Sequence, residues 1–253
     1  MATKTTIEWT EMTWNPVTGC SKVSLGCKNC YAERMAKRLQ GMGLWQYRDG
    51  FKVTLAPEVL ADPFNWTKPR LVFVNSMSDL FHEQVPLNYI RKIFDVMVAT
   101  PQHTYQILTK RHIRLAELAP DLPWPENIWM GVSVENQQAV TRIPSLVASP
   151  ARLKFLSIEP LIGPIDRLPL RGIDWVIVGG ESGPKARPLT KEWVEAIRNQ
   201  CLRRRVPFFF KQWGKAEFNA NHRDPTIAKS HPNHAKGGCQ LNGRIFRRLP
   251  ASP

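Results

Sequence analysis

Short apolar runs alternate with longer amphipathic stretches from residue 70 to residue 214. Six runs are predicted to be buried strands, because their apolar side chains follow one another almost without polar interruption, as in strands covered on both faces. These runs are RLVFVNSMSD (70–79), TYQILTKR (104–111), NIWMGVSVEN (127–136), RLKFLSIEP (152–160), DWVIVGGESG (174–183) and VPFFFKQWG (206–214). A seventh strand is expected within IEWTEMTWNPV (7–17).

Stretches with helical periodicity separate these strands. Apolar positions three or four residues apart predict helices within YAERMAKRLQGMG (31–43), LNYIRKIFDVMVATP (87–101), HIRLAELAP (112–120), QQAVTRIPSLVAS (137–149) and TKEWVEAIRNQCLRRR (190–205). Thr190 is the expected N-cap of the last helix, and Glu192 lies in its first turn.

Alternating strands and helices imply parallel βα units. The predicted fold class is therefore α/β, with about seven strands in a single partial or complete parallel βα barrel of the TIM type. An open doubly wound sheet is the alternative. The predicted domains are a barrel over residues 1–215 and a polar, His-rich loop with a short terminal hairpin over residues 216–253. The Asn242–Gly243 pair is the expected hairpin turn.

Polar side chains follow the apolar part of each predicted strand. Strand by strand they are Asn75, Ser76 and Asp79; Thr109, Lys110 and Arg111; Ser133, Glu135 and Asn136; Ser157 and Glu159; Glu181 and Ser182; Lys211 and Gln212. In a barrel these positions converge at the carboxyl-terminal mouth, where active sites lie. We therefore expect a pocket for a polar, charged ligand. The predicted catalytic residues are Lys110, Glu135, Glu159 and Lys211.

The segment VGGESGP is the expected ligand-binding turn of this pocket. Gly179 and Gly180 directly follow a predicted strand and permit close approach of a ligand to the backbone. Their exposed amides suit a carboxylate or a phosphate. A tight strand-to-helix turn would explain the same residues. Gly179, Gly180 and Glu181 are predicted cofactor-binding residues.

Composition and charge limit the classes of function that we expect for this protein. The chain has 253 residues, of which 43% are hydrophobic, and a formal net charge of +14. Such an excess of positive charge attracts polyanions, nucleic acid first. No run approaches the roughly 18 apolar residues of a membrane helix, and the first residues lack the apolar region of a signal peptide. We expect a cytoplasmic protein with no membrane partner. In that reducing compartment, clustered cysteines favour metal binding or catalysis over disulfides.

Three of the five cysteines lie within eleven residues. Cys20, Cys27 and Cys30 follow the spacing C-x6-C-x2-C, and the C-x2-C half is a common chelating pair. Structural zinc usually takes four ligands, and no fourth Cys or His lies nearby in the sequence, although His82 or the distant tail could supply one. A [4Fe–4S] cluster held by three thiolates keeps one iron open for a substrate or cofactor. Buried, unrelated cysteines are a further alternative.

The remaining cysteines and histidines are expected to be less informative. Cys201 falls within a predicted helix, and Cys239 lies in the terminal segment, so both are expected to be packed or incidental. His222, His231, His234 and Cys239 could form a second metal site. A mobile polar tail would explain these four residues as well.

The motifs IEWTEMTWNPVTGC, GCKNCYAERMA, NSMSDLFHE, LTKR, GVSVEN, SIEP, GGESG and FFFKQWG resemble those of the phage-associated three-Cys-motif proteins. That family is listed as a domain of unknown function and is similar to radical S-adenosylmethionine (SAM) enzymes. The resemblance covers roughly residues 5–215 together with the LNGR ending. The first cysteine spacing is six residues instead of the common three. Asn29 stands where an aromatic residue is usual, and the GGE element follows the sixth strand instead of the second.

The resemblance implies a specific cofactor chemistry. Cys20, Cys27 and Cys30 would ligate a [4Fe–4S] cluster whose open iron chelates SAM, and reductive cleavage of SAM would yield a 5′-deoxyadenosyl radical. Asn75, Ser76, Ser133, Glu135 and Ser157 are the implied SAM contacts. Family members are often encoded beside a three-Cys-motif partner protein, which is the implied partner. The expected substrate is nucleic acid or a nucleotide. The alternative is a non-catalytic zinc or Fe–S nucleic-acid-binding phage protein.

Overall fold

The computed structural model describes residues 3–251, and its main sheet contains eight strands. The strands of the chain are β1 (Thr3–Lys4), β2 (Met12–Trp14), β3 (Val17–Thr18), β4 (Thr54–Leu55), β5 (Leu71–Val74), β6 (Thr104–Thr109), β7 (Ile128–Ser133), β8 (Lys154–Ile158), β9 (Trp175–Gly179), β10 (Phe208–Gln212), β11 (Gln240–Leu241) and β12 (Arg244–Ile245). The helices are α1 (Tyr31–Gly41), α2 (Leu87–Ala99), α3 (His112–Leu118), α4 (Ile143–Ala148) and α5 (Lys191–Arg203).

The strand order in the main sheet is β1-β2-β5-β6-β7-β8-β9-β10. β1 pairs antiparallel with β2, and the next strand, β5, pairs parallel with β2. The seven parallel strands curl through 201° into a half-barrel. This confirms the predicted partial βα barrel over the open doubly wound sheet. All six apolar runs of the sequence, and the stretch before Cys20, contain one of the seven strands.

The chain divides into two compact units, which are described separately below. The first unit comprises Met1–Val23, Cys30–Val132 and Pro144–Lys154. The second unit comprises Ser24–Asn29, Ser133–Ile143 and Phe155–Pro253. Cys20 and Cys30 therefore belong to the first unit, and Cys27 belongs to the second. The predicted boundary after residue 215 stays a prediction.

Burial explains why the strand sequences are nearly continuously apolar. Every residue of β7 and β9 is buried, as expected for parallel strands covered on both faces. In the first unit, α2 buries one face of its helical pattern, including Ile90, Ile93 and Met97. In the second unit, α5 buries Val194, Ile197 and Cys201 at the same helical spacing.

Two helix starts differ from the prediction in detail. Residues 137–142 form a 3-10 helix, and α4 begins only at Ile143, because Pro144 is tolerated in a first helical turn but not further in. Asn136 caps the 3-10 helix by accepting a hydrogen bond from the backbone of Ala139. Thr190 is the N-cap residue of α5, but its side chain makes no capping hydrogen bond. The predicted N-cap position of Thr190 is confirmed, although no side-chain hydrogen bond accompanies it.

The chain returns to the barrel edge after β10. Three short 3-10 helices, at residues 216–218, 225–227 and 234–236, lead to the hairpin of β11 and β12. Asn242 and Gly243 form its turn with positive φ angles of 53° and 71°, which suits the Asn-Gly pair. Arg247 then pairs antiparallel with Phe209, so the terminal segment adds to the outer edge of β10. Among the described residues, no helix is long and apolar enough to cross a membrane.

Candidate functional site

The cysteine segment begins where β3 ends, in the first unit. Gly19 adopts a φ of 77°, and a Cβ atom there would lie 2.0 Å from the Lys52 carbonyl oxygen, so only glycine fits. The Cys20 amide donates to the Phe51 carbonyl at 3.0 Å. Cys30 is the N-cap residue of α1. The backbone at both ends of the segment is thus set by the elements that flank it.

A buried arginine lies beside Cys20. One terminal nitrogen of Arg111 donates to the Ser21 hydroxyl at 2.9 Å and to the Ser21 carbonyl at 3.1 Å, and it lies 3.8 Å from the Cys20 sulfur. Its other terminal nitrogen contacts both carboxylate oxygens of Glu83. Burial alone would lower the pKa of Arg111, but Glu83 and Cys20 raise it above its usual value. Arg111 therefore brings a permanent positive charge to Cys20.

His82 and Asp79 complete the surroundings of Cys20 and of the β6 end. The His82 Nδ1 atom accepts from the Gln84 amide at 3.1 Å, so Nε2 carries the proton toward the Ser21 hydroxyl at 2.9 Å. Burial and the neighbouring Arg111 lower the pKa of His82, which keeps the ring neutral. Asp79 accepts from the Thr109 hydroxyl at 2.7 Å and from the Lys110 amide at 3.0 Å. These bonds fix the backbone from which the predicted catalytic Lys110 projects.

In the second unit, Glu135 lies beneath the loop that carries Cys27. Glu135 is only 1% exposed and pairs with Arg142 through N–O distances of 2.6 and 3.2 Å. The Ser24 hydroxyl also donates to this carboxylate. A Cβ atom on Gly26 would lie 2.8 Å from the same carboxylate, so a larger residue there would have to displace the Glu135 side chain. Glu135 thus anchors the Ser24–Asn29 loop, and its predicted catalytic and cofactor-binding roles stay predictions.

A second carboxylate holds the other end of this loop. Glu181 accepts from Asn29 at 2.8 Å and from the Arg187 side chain at 2.6 and 2.9 Å. Burial alone would raise the pKa of Glu181, but the hydrogen bonds from Arg187 and Asn29 hold it below its usual value. Arg187 also donates to the Leu25 carbonyl at 2.9 Å. Asn29, which replaces the usual aromatic residue, therefore has a structural partner in this chain.

The third predicted acid forms a separate pair near the ends of β8 and β10. Lys211 Nζ lies 2.8 and 3.0 Å from the two carboxylate oxygens of Glu159. The Gln212 amide donates to Glu159 at 3.1 Å and to the Gly180 carbonyl at 2.9 Å. The Glu159 side chain is 22% exposed, in contrast to the buried Glu135 and Glu181. In the second unit, Glu159 and Lys211 are therefore the predicted catalytic residues that form a partly solvent-exposed pair.

The two predicted binding glycines are packed against their own chain. A Cβ atom on Gly180 would lie 2.1 Å from the Trp213 carbonyl oxygen, and one on Gly179 would lie 3.2 Å from the Glu159 side chain. The close backbone approach expected of a ligand is thus made at Gly180 by the segment after β10. Cofactor binding by these glycines stays a prediction.

The remaining predicted cofactor contacts differ in their surroundings. Asn75 directly follows β5 with a φ of 60°, and its side-chain oxygen accepts from the Val17 amide at 3.3 Å. Its buried Nδ2 atom has no hydrogen-bond partner among the described residues. The Ser76 hydroxyl donates to Asn15 at 3.1 Å. Ser133 and Ser157 are buried. Asn75 is the member of this set with a free buried donor.

Sequence reasoning missed the residues that support the predicted ones. They are Glu83, Arg142 and Arg187. Asn29, Asp79, His82 and Arg111 were noted in the sequence, but without these contacts. The motifs NSMSDLFHE and LTKR contain four of the seven, so the motifs were informative where individual roles were not.

Comparison with protein families identifies the chain. A family model described as "Protein of unknown function (DUF5131)" matches residues 4–250. The chain belongs to the DUF5131 family. No curated protein matches its sequence.

Two solved structures are similar in fold to this DUF5131 chain. Both are variants of spore photoproduct lyase, one with a dinucleoside spore photoproduct and one with AdoMet and the same dinucleoside. Their TM-scores are 0.49 and 0.48, at 12% sequence identity. The alignments cover 79% of this chain and 63% of each neighbour, so the chain spans less than two thirds of their length.

The thiols of this DUF5131 chain suit an iron–sulfur cluster by their chemistry. Cys20, Cys27 and Cys30 form no disulfide among the described residues, and all three are only partly buried. Cys201 likewise forms no disulfide but is fully buried, and burial raises the pKa of its thiol to about 12, whereas a ligand must be a thiolate. The buried thiols are thus packed, as predicted, and ligation of a cluster by Cys20, Cys27 and Cys30 stays a prediction.

A single metal ion finds no ready-made site in the part of the chain that the structure describes. No three Cys, His, Asp or Glu side chains there are grouped so that they could hold one ion. In the terminal segment, His231 and His234 direct their Nδ1 atoms to backbone groups, and Cys239 is buried. Each thiolate of a [4Fe–4S] cluster binds a different iron, so this comparison concerns a single ion such as zinc.

Proposed function

We propose that this protein is an iron–sulfur enzyme of the radical SAM type that acts on a nucleic-acid or nucleotide-like substrate. The observation that carries the proposal is the C-x6-C-x2-C set of thiols, none in a disulfide, shortly after the first parallel strand of a βα half-barrel. Three thiolates would leave one iron of a [4Fe–4S] cluster open. When bound, that cluster would supply the electron for reductive cleavage of SAM.

The chain's own residues would position the ligands. Arg111 orients Ser21 and brings positive charge to Cys20. Glu135 and Glu181 hold the Ser24–Asn29 loop, so their carboxylates fix the backbone around Cys27. Because both acids are already neutralised by arginines, a structural task suits them better than proton transfer.

The Glu159–Lys211 pair is the best candidate for contact with a substrate. Its carboxylate is more exposed than those of Glu135 and Glu181, and Lys211 can hold a proton at Nζ next to this carboxylate. Asn75 would contribute its free Nδ2 donor to the cofactor. Lys110, Ser76, Ser133, Ser157, Gly179 and Gly180 keep their proposed catalytic or cofactor-binding roles because each lies at or near the end of a strand.

Substrate class, partner and compartment are inferred from the charge, the family resemblance and the thiols. The net charge of +14 favours a polyanionic substrate. The family resemblance supports a three-Cys-motif partner protein and an association with phages. Cysteines that form no disulfide favour a reducing compartment such as the cytoplasm.

Anaerobic reconstitution tests this proposal. We expect a brown protein with about four irons per chain, absorbance near ~400 nm, and SAM cleavage when reduced. Cys20→Ala, Cys27→Ala and Cys30→Ala should each lower the iron content. Cys201→Ala is the matched control and should leave it unchanged. A colourless protein with one zinc would contradict the enzyme and support a non-catalytic zinc protein.

A second pair of variants separates loop anchors from pocket residues. Glu135→Gln should weaken the hold on the Cys27 loop and lower the iron content after reconstitution. Glu159→Gln should leave iron near the wild-type level and lower turnover about a hundredfold or more, once a substrate is known. Equal iron content in both variants would show that Glu135 does not position the loop.

A further inference from the structure

A groove lies between the second half of α5 and the terminal hairpin, within the second unit. Its volume is about 450 Å³, and it is lined by Arg198, Leu202, Asn242, Arg244 and Phe246. None of these residues takes part in the contacts around the cysteines or around Glu159. The groove is therefore separate from these two groups of residues.

The groove presents an aromatic ring in a cationic setting. The Arg198 guanidinium lies over the Phe246 ring, 5.6 Å from its centroid. Phe208 packs edge-on against the same ring at 6.0 Å, so the ring has a fixed orientation. Leu202 is 58% exposed beside it, although the opposite face of α5 is buried. A planar ligand could add to this stack, because arginine planes and aromatic rings both accept bases.

Positive charge is concentrated around this groove. Seven arginines lie on the two elements that form it or directly follow them: Arg198, Arg203, Arg204, Arg205, Arg244, Arg247 and Arg248. Six of them, all except Arg198, are exposed. The acid Glu195 contacts two lining residues: it lies 3.9 Å from Arg198 and accepts a hydrogen bond from the Asn242 side-chain amide. Guanidinium groups match phosphate oxygens in a bidentate manner.

We propose that this groove binds single-stranded nucleic acid. The arginines would contact the phosphates, and a base would add to the Arg198–Phe246 stack beside Leu202. A single strand is favoured over a duplex, because its bases are free to stack on side chains. The proposal deepens the proposed function by naming the surface that would hold a nucleic-acid substrate, and it rests on that function only for the ligand being the substrate.

Fluorescence anisotropy with a labelled single strand of about 12 nucleotides tests this surface. We expect R198A/R244A to weaken binding about tenfold and to reduce the salt dependence of the affinity, because each lost phosphate contact lowers the slope. The matched control is R91A/K92A, which removes the same charge from exposed positions of α2. R244E is a second variant on an exposed hairpin residue, and circular dichroism checks that each variant is folded.

Equal loss of affinity in R198A/R244A and R91A/K92A would overturn the proposal, since binding would then depend on net charge alone. Tighter binding of a duplex of the same length, or of an acidic peptide, would also overturn it. Binding is measured on both the iron-free chain and the chain lacking all three clustered cysteines. If only the groove proposal is wrong, the protein still takes up iron and cleaves SAM as expected. If only the proposed function is wrong, the groove still binds the single strand as expected.

Discussion

At the residue scale, Gly180 shows how little space remains where β9 ends. A Cβ atom on Gly180 would lie 2.1 Å from the Trp213 carbonyl oxygen. In the same way, a Cβ atom on Gly214 would lie 2.2 Å from the Glu181 carbonyl oxygen. Both obstacles are backbone atoms, which cannot rotate away as a flexible side chain could. This mutual approach ties the end of β9 to the segment after β10.

Gly180→Ala should therefore destabilise the fold by about 3 kcal/mol, through the strain of overpacking. In a protein of this size that corresponds to a fall of roughly 6–12 °C in the melting temperature. Gly41→Ala is the matched control, because a Cβ atom there meets nothing within 4 Å. Thermal melts of both variants test this prediction. Equal melting temperatures for Gly180→Ala and Gly41→Ala would contradict the close approach.

Arg111 supports a prediction about electron transfer. Reduction potentials of iron–sulfur clusters rise with hydrogen bonds to sulfur and with nearby positive charge. If Cys20 is a ligand, Arg111→Ala should shift the midpoint potential to more negative values, on the order of tens of millivolts. Arg114→Ala, which removes a neighbouring arginine bound to the His82 and Val85 carbonyls, is the control. An unchanged potential in a redox titration of Arg111→Ala would rule out this influence.

The sequence indicates which residue types end the strands, but not how they pair. Glu135 and Glu181 stood out from their positions, yet their partners did not. Asn29 and Glu181 are 152 residues apart, and Arg111 and Ser21 are 90 residues apart. Such pairs depend on how strands and loops meet in space, and no local periodicity records that. The acids were therefore predictable as polar strand ends, whereas their task as loop anchors was not.

At the element scale, the pattern of apolar and polar residues predicted strands and helices well, and irregular segments poorly. A buried parallel strand needs a run of apolar residues, and an amphipathic helix needs a period near 3.6, so both leave a direct record in the sequence. The polar segment after Gly214 leaves no such record. Its organisation comes instead from one buried carboxylate, that of Asp224.

Asp224 acts as the acceptor around which this segment folds. It accepts from the Thr226 amide at 2.8 Å, from the Asn219 side chain at 2.9 Å and from the Gln240 amide at 2.9 Å. Burial alone would raise the pKa of Asp224, but these hydrogen bonds and that of the Thr226 hydroxyl hold it below its usual value. Its stabilising contribution is therefore fully present above the ordinary aspartate pKa of about 3.9 and is lost as the pH falls through the lower, folded value.

Asp224→Asn should loosen residues 216–241, because an amide nitrogen cannot accept two of these bonds. We expect a loss of about 2 kcal/mol in local stability. Limited proteolysis followed by mass spectrometry should show faster cleavage in this segment, with no further increase as the pH is lowered. The exposed Asp166 provides the control variant, Asp166→Asn. Cleavage that rises with acidity equally in the wild type and in Asp224→Asn would contradict the assignment.

At the scale of the whole molecule, the sheet and the cysteine segment differ in how deeply their residues are buried. The sheet is held by buried apolar strands such as β7 and β9, whereas the clustered cysteines are only partly buried in loops and at a helix start. The half-barrel therefore has a core that needs no metal. Small zinc domains are the opposite case, because they have too little core to fold without their ion.

Removal of iron from the reconstituted protein should leave the fold intact. We expect chelation to change the melting temperature by less than about 5 °C, because the apolar core is untouched. Hydrogen exchange should increase mainly in residues 20–30. Cooperative unfolding on chelation would show that the metal supports the sheet itself.

The terminal segment that adds to the outer edge of β10 has a consequence for biosynthesis. Phe210 donates to the Phe246 carbonyl at 2.7 Å, and Arg248 donates to the Phe208 carbonyl at 3.3 Å, so residues 246–248 occupy backbone groups that would otherwise be open for pairing with another chain. Ribosomes make these residues after β10, with a delay of roughly two to seven seconds at 5–20 residues per second. During that interval the nascent half-barrel carries a bare strand edge, and a slow codon in the intervening stretch would prolong its exposure to aggregation.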